Sequence, residues 1–387
     1  VDGTATEHRA RLDGAPRGPA DLTPGYFAGV MGTGIVSIGA QLTGHAVLAS
    51  VLFWIAIAFY LVLIVLNVWR FAAYRRQMSD DFHDPARAFG FFTFIAATNV
   101  VGAMLVGVGF GLAAAVLLAI ATLAWLVLGY VIPWTAVLGN PRRPMLDRAN
   151  GTWFIWVVAS QSIAVVAAGL EPLYPQLRQW LAILAVVAWS TGVVLYAACA
   201  LFVMLRAMLY RLDPHDLDPP YWVAMGAVAI TVVAGARIVE MAEAPMIDVT
   251  RELIAGLSVI FWAFASWLIP VLFAAGVWRH LVHRIPLRYQ PTLWSFVFPM
   301  GMYAAASIYL GRADHLPVVE TIGTLWFWVG LGVWSLTAAG MVVDVVRRLT
   351  GRGGASVPTR PAASGSEPVI HGEAADARTA DDRRMSP

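Results

Sequence analysis

Lysine is absent from the chain, cysteine occurs once, and only 13% of the 387 residues are charged. Soluble proteins carry roughly 25% charged residues, so this shortage excludes a water-soluble enzyme. The formal net charge of +2 leaves no single-sign field to hold a nucleic acid. A lone cysteine excludes a disulfide framework, and Cys199 sits inside an apolar run, where a thiol acts as a small buried hydrophobe. The first 20 residues lack the apolar core of about 7–15 residues that a signal peptide needs. Residues 1–21 read as a polar, disordered head.

What the chain has instead is apolar mass: 59% hydrophobic residues, with 16 Trp, 18 Phe and 11 Tyr, and a mean hydropathy of +0.69. In a bilayer such rings anchor helices at the headgroup level. The composition is that of an integral membrane protein. Crossing about 30 Å of hydrocarbon takes roughly 20 helical residues, and ten stretches approach that length: 24–41, 46–69, 88–107, 112–132, 151–169, 179–206, 221–239, 253–278, 292–310 and 320–345. Arginine gathers in the connections after the second, fourth, sixth and eighth. The other connections are short and carry only Arg178, Arg251 and Arg312, with Arg237 just inside a span. By the positive-inside rule both termini are cytoplasmic. Residues 22–348 form one membrane domain, and 349–387, rich in Gly, Ala, Pro and charge, read as a disordered tail.

The spans alternate in character. Odd spans are short and carry small and neutral polar residues, as in PGYFAGVMGTGIVSIGAQ, while even spans are longer and uniformly greasy. Small residues let helices approach closely, and polar side chains in hydrocarbon need partners or water. Two readings follow. Hydroxyls bond back to their own turns in ordinary helix packing, or five odd helices form an inner ring around a water-accessible path. On the second reading Thr33, Ser37, Asn99, Gln161, Ser162, Thr231 and Ser295 line the path.

No Asp, Glu or His falls at a predicted midplane. Proton-driven carriers usually keep such a group, so passive flux gains over coupling, and catalytic or metal-binding chemistry inside the bundle loses its ligands. The reading is of a non-enzyme without cofactor or metal. Asp80, Asp81, His83 and Asp84 suit helix capping better than cation binding. His280 and His283 leave open a minor role in sensing cytosolic pH. Arg237 and Glu240, three apart, share a helix face and suit a pair; with Arg312, Arg237 also suits an outer mouth that concentrates anions. In the ninth span Pro299 removes the N–H that would bond the Ser295 carbonyl, which predicts a kink. Phe298 directly precedes it, placed either for plain packing or to project its ring into a central path.

The string PTLWSFVFPMGMYAAAS at 291–307, with PGYFAGVMGTGIVSIG near the start, resembles the tellurite-resistance/dicarboxylate transporter family. That family includes bacterial tellurite-resistance channels, fungal malate and sulfite transporters and the plant guard-cell slow anion channel. The likeness extends over about residues 22–345. It implies an all-α membrane fold of ten transmembrane helices, arranged as five hairpins in quasi-fivefold order around a central pore and commonly assembled as a homotrimer in the plasma membrane. Its gating phenylalanine lies in a Trp-Ser-aromatic-x-Phe-Pro pattern, which WSFVFP matches with Phe298 as gate and Phe296 as the neighbouring aromatic. The implied cargo is small anions, from malate and other C4-dicarboxylates to tellurite, sulfite, nitrate and chloride. The alternative is a proton- or sodium-coupled carrier of malate or sulfite, working around a midplane site.

Overall fold

The computed structural model describes residues 19–139, 146–211, 213–214 and 216–350. The head over 1–18, the tail from 351, and Arg142 and Arg143 lie outside the described residues. The chain divides into two units, Val1–Val345 and Val346–Pro387; the second lies almost wholly outside the description.

Among the described residues ten long helices alternate in length. The odd ones are α1 (Ala28–Leu42), α3 (Phe92–Gly107), α5 (Phe154–Leu170), α7 (Val223–Val239) and α9 (Trp294–Ala313). The even ones are α2 (Ala46–Ala73), α4 (Gly111–Ile132), α6 (Arg178–Leu209), α8 (Pro245–Val277) and α10 (Pro317–Leu349). Among the described residues nine helical segments are long and apolar enough to cross a membrane. The exception is α1, whose 15 residues include Gly29, Gly32, Gly34 and Gly39, which lower its hydropathy. It is nonetheless buried along most of its length. The α8 helix starts two turns before the predicted span because Pro245, Met246 and Ile247 extend it beyond the charged residues around Arg251. The α9 helix continues through Pro299.

Each odd helix packs against the next, and α9 returns to α1, so the five close into a ring. Even helices lie outside it. In the apolar cores of α3, α5, α7 and α9, 72% to 89% of residues are buried, against 11% to 28% for the even helices. Exposed residues such as Trp54, Leu112, Trp180, Leu253 and Leu325 are the lipid-facing surface that such a composition requires.

Two features repeat around the ring. Every inner helix is entered through a single-turn 3-10 segment: Pro24–Phe27, Ala88–Phe91, Gly151–Trp153, Pro219–Trp222 and Pro291–Leu293. Three of them place proline at their first positions, where its fixed φ and missing N–H fit a helix start. In the third, Asn150 Oδ1 accepts from the Thr152 N–H at 2.8 Å. Second, every outer helix sends an aromatic polar group to the following inner helix. Tyr60 of α2 meets Thr98 Oγ1 at 2.9 Å, and the indole of Trp125 on α4 donates to Ser160 Oγ at 2.8 Å. Trp189 on α6 donates to the Thr231 carbonyl at 3.1 Å, and Trp262 on α8 to Ser307 Oγ at 2.8 Å. Trp334 on α10 completes the set by donating to Thr33 Oγ1 of α1 at 3.1 Å. In a medium without water these bonds give buried donors the partners they need.

Candidate functional site

A cavity of about 240 Å3 lies on the axis of the ring, and all five inner helices contribute to its wall. Ile35, Asn99, Ser162, Ile230 and Met302 surround its deeper part, with Gln41, Gly107, Arg237 and Tyr309 further toward the C-terminal ends. The inner helices all run in the same direction, because each is followed by a return helix. Their C-terminal ends therefore share the side with the short connections, and the cavity belongs to that half.

On a helix, residue i shares a face with residues i−3 and i−4. Three or four residues back from the deep layer, toward the arginine-rich side, the same helix faces carry Met31, Ala96, Val158, Gly226 and Phe298. All are buried, and none has a polar side chain. The Phe298 segment is held by glycine at two points. A Cβ on Gly226 of α7 would lie 2.9 Å from Pro299 Cγ and 3.3 Å from its Cα, and one on Gly32 of α1 would lie 3.0 Å from Val297 Cγ1 and 3.5 Å from the Phe298 nitrogen. Only glycine lets α7 and α1 approach α9 this closely. Phe296 packs its ring edge-on against Trp222 at 4.5 Å between centroids.

Of the seven polar residues that the sequence nominates as pore-lining, Asn99 and Ser162 line the cavity. Asn99 Nδ2 donates to Ser162 Oγ at 2.9 Å. The others serve elsewhere. Thr33 takes the Trp334 bond and returns its own hydroxyl to the Gly29 carbonyl at 2.8 Å. Ser37 donates to the Ala49 carbonyl of α2, Gln161 Nε2 to the Trp189 carbonyl of α6, and Thr231 to the Ala227 carbonyl one turn back. Ser295 is buried near the start of α9 and does not reach the cavity.

At the mouth Arg237 donates to Glu240 at 2.8 Å and lies over the Tyr309 ring. The predicted i, i+3 pairing is present, on a residue that also lines the cavity. Arg312 donates to Glu320 at 2.8 Å and to the Leu42 carbonyl at 3.0 Å, tying α9 to α1.

The opposite side holds residues that the sequence reading assigned otherwise. Asp81 lies on the short helix Arg75–His83 and bridges Arg70 at 2.6 Å and Arg87 at 3.0 Å, with Arg70 only 2% exposed. It is the centre of a buried ion cluster and caps no helix; Asp84, which accepts from the Ala86 N–H at 3.0 Å, does cap a turn. Burial pushes the Asp81 carboxyl above its usual range, against the pull of Arg87 and Arg70. Asp218 precedes the 3-10 turn of α7. The residue as a whole is half-buried, while desolvation of its carboxyl, opposed by Arg279, pushes it up to about 7. His280 and His283 turn a ring nitrogen to the Ile285 and Trp278 carbonyls.

A closed ring of short helices, sheathed by longer apolar helices and enclosing a cavity, defines an all-α integral membrane protein. The sequence comparisons agree: the chain belongs to the family described as voltage-dependent anion channel, whose model matches residues 21–342. It is 54% identical to an uncharacterized membrane protein of Mycobacterium tuberculosis over 46% of this chain and 89% of that one. An uncharacterized transporter of Methanocaldococcus jannaschii is 24% identical over 82% of this chain and 91% of its own length. A sulfite efflux pump of Trichophyton rubrum is 22% identical, covering 83% and 90%.

Proposed function

We propose that the chain transports small anions passively along the axis of the inner ring, with Phe298 as the gate. The observation that carries this reading is the abrupt change at the base of the cavity. A layer that includes Asn99 and Ser162 gives way, one turn on, to Met31, Ala96, Val158, Gly226 and Phe298. An apolar constriction closes a path by expelling water, and a largely neutral wall releases an ion that strong fixed charge would trap. Phe298 is the bulkiest member of the layer and sits beside the proline of α9.

Membership in an anion-channel family and similarity to a sulfite efflux pump support anions as the cargo. Small oxyanions such as sulfite or tellurite are the proposed cargo, and malate and other C4-dicarboxylates belong to the same proposal. So do a homotrimer with one path per subunit, a plasma-membrane location, and both termini on the cytoplasmic side where the arginines gather.

The test is current through the purified protein in planar bilayers, with malate, chloride, nitrate and sulfite offered in turn under voltage and without a proton gradient. Gradient-independent anion current is expected, and Phe298→Ala raises it severalfold or more. Unchanged current from a normally expressed Phe298→Ala refutes the gate. Transport that appears only when a proton or sodium gradient is imposed refutes passive flux in favour of a coupled carrier.

A further inference from the structure

Ser162 donates its hydroxyl to the Ala159 carbonyl at 2.7 Å, so its oxygen presents a lone pair to Asn99. The Asn99 amide must answer with Nδ2–H, at 2.9 Å. This bonding fixes which way the amide is turned. Among the described residues Asn99 Oδ1 is then left without a hydrogen-bond partner, on a residue 1% exposed that lines the deep end of the axial cavity. Gln161, the next residue along α5 from Ser160, also keeps Oε1 unpartnered, but its amide is turned to α6 and does not line the cavity.

A carbonyl oxygen is a poor neighbour for chloride or nitrate, which offer only lone pairs. It suits an anion that carries its own O–H. Such an anion donates its hydroxyl to Oδ1 while its charged oxygens face the rest of the wall, where Arg237 supplies positive charge toward the mouth. A site built to pair with a substrate hydroxyl rejects analogues that lack it, because its own polar group then stays unpaired. We infer that Asn99 is a specificity-determining residue that accepts a hydrogen bond from the passing anion, so that the path prefers hydroxyl-bearing oxyanions over halides and nitrate. This inference rests on the anion-passage reading above.

The experiment measures hydrogensulfite-to-nitrate permeability ratios from reversal potentials, on purified full-length protein at mildly acidic pH. Only charged species contribute to the current, so neutral sulfur dioxide does not interfere. Asn99→Val and Asn99→Thr have nearly the same shape and both lose the amide, but threonine keeps an acceptor oxygen. The wild type is expected to favour hydrogensulfite. Asn99→Thr keeps most of that preference, and Asn99→Val loses about tenfold of it, the ratio that corresponds to roughly 1.4 kcal/mol. Equal ratios in the two variants, or a wild type that passes nitrate as readily as hydrogensulfite, overturn the inference. Ser162→Ala gives a second reading if either Asn99 variant misfolds: it frees the amide to rotate without changing its size, and an unchanged ratio there also overturns the inference. A wild type that passes neither anion overturns the transport reading itself.

Discussion

Substituting Gly226 with alanine probes how closely α7 and α9 fit at the Phe298 segment. A new Cβ would meet three atoms of one proline, at 2.9 Å from Cγ, 3.2 Å from Cβ and 3.3 Å from Cα. A proline ring has no rotamer into which to retreat, so the helices must separate by several tenths of an ångström. Overpacking of this kind costs about 1–3 kcal/mol, while alanine in place of glycine within a helix gains roughly 1 kcal/mol. Gly256 on the exposed face of α8 supplies the control, because a Cβ there meets nothing within 4 Å. Gly256→Ala keeps the helix gain alone, so the gap between the two variants, about 1–3 kcal/mol, isolates the contact. Thermal unfolding in detergent reads it: Gly226→Ala melts below Gly256→Ala, and its anion leak exceeds that of the wild type because the seat of Phe298 has loosened. Equal melting of the two variants would refute the claim that glycine is required for this approach.

Asp81→Asn leaves the buried Arg70 and the partly exposed Arg87 without their shared carboxylate; a loss of about 3–5 kcal/mol is expected for a broken buried pair, read as a lowered melting temperature. Asp218 holds its proton up to about 7 in the folded protein, whereas an unfolded aspartate releases it near 3.9. The folded state therefore binds more protons between those values, so stability falls as pH rises through that window. Asp218→Asn should flatten the decline, and melting temperatures between pH 4 and 8 will show whether it does. Arg237→Gln removes positive charge from the cavity wall; anion current should drop at low ionic strength, and the deficit should shrink as salt screens the mouth.

The alternation of small, polar spans with long greasy ones was legible because Gly, Thr and Asn concentrate in helices surrounded by protein, where close approach and hydrogen-bond partners are available. That signal locates inner helices but does not say which side of each faces the axis. An inner helix is buried all round, so hydrophobic periodicity, which reports one dry face against one wet face, carries no direction there. Thr33, Ser37 and Gln161 turn their polar groups to the outer helices, while Asn99 and Ser162 turn to the axis. A usable signal existed in the partners: Tyr60, Trp125, Trp189, Trp262 and Trp334 each carry a donor that needs an acceptor on a neighbouring inner helix. Asp81 was misread for a related reason. Beside Asp80 and Asp84 it looks like one more surface acid, and Arg70 lies eleven residues away, at the end of a span where any arginine is expected. The recurring entry turns, with Pro24, Pro219 and Pro291 ahead of Phe27, Trp222 and Trp294, were present as a repeat too short and too varied for spacing alone to expose.

The bond from Trp334 to Thr33 treats the last helix and the first as any other outer and inner neighbours. The polypeptide is linear, but the bundle it builds has no seam, and where the chain begins is a matter of connection rather than of packing. Because α1 starts and α10 ends on the same side, a linker between them would allow the gene to open instead before α3 or α7. Such circular permutants should assemble the same ring from a different first helix.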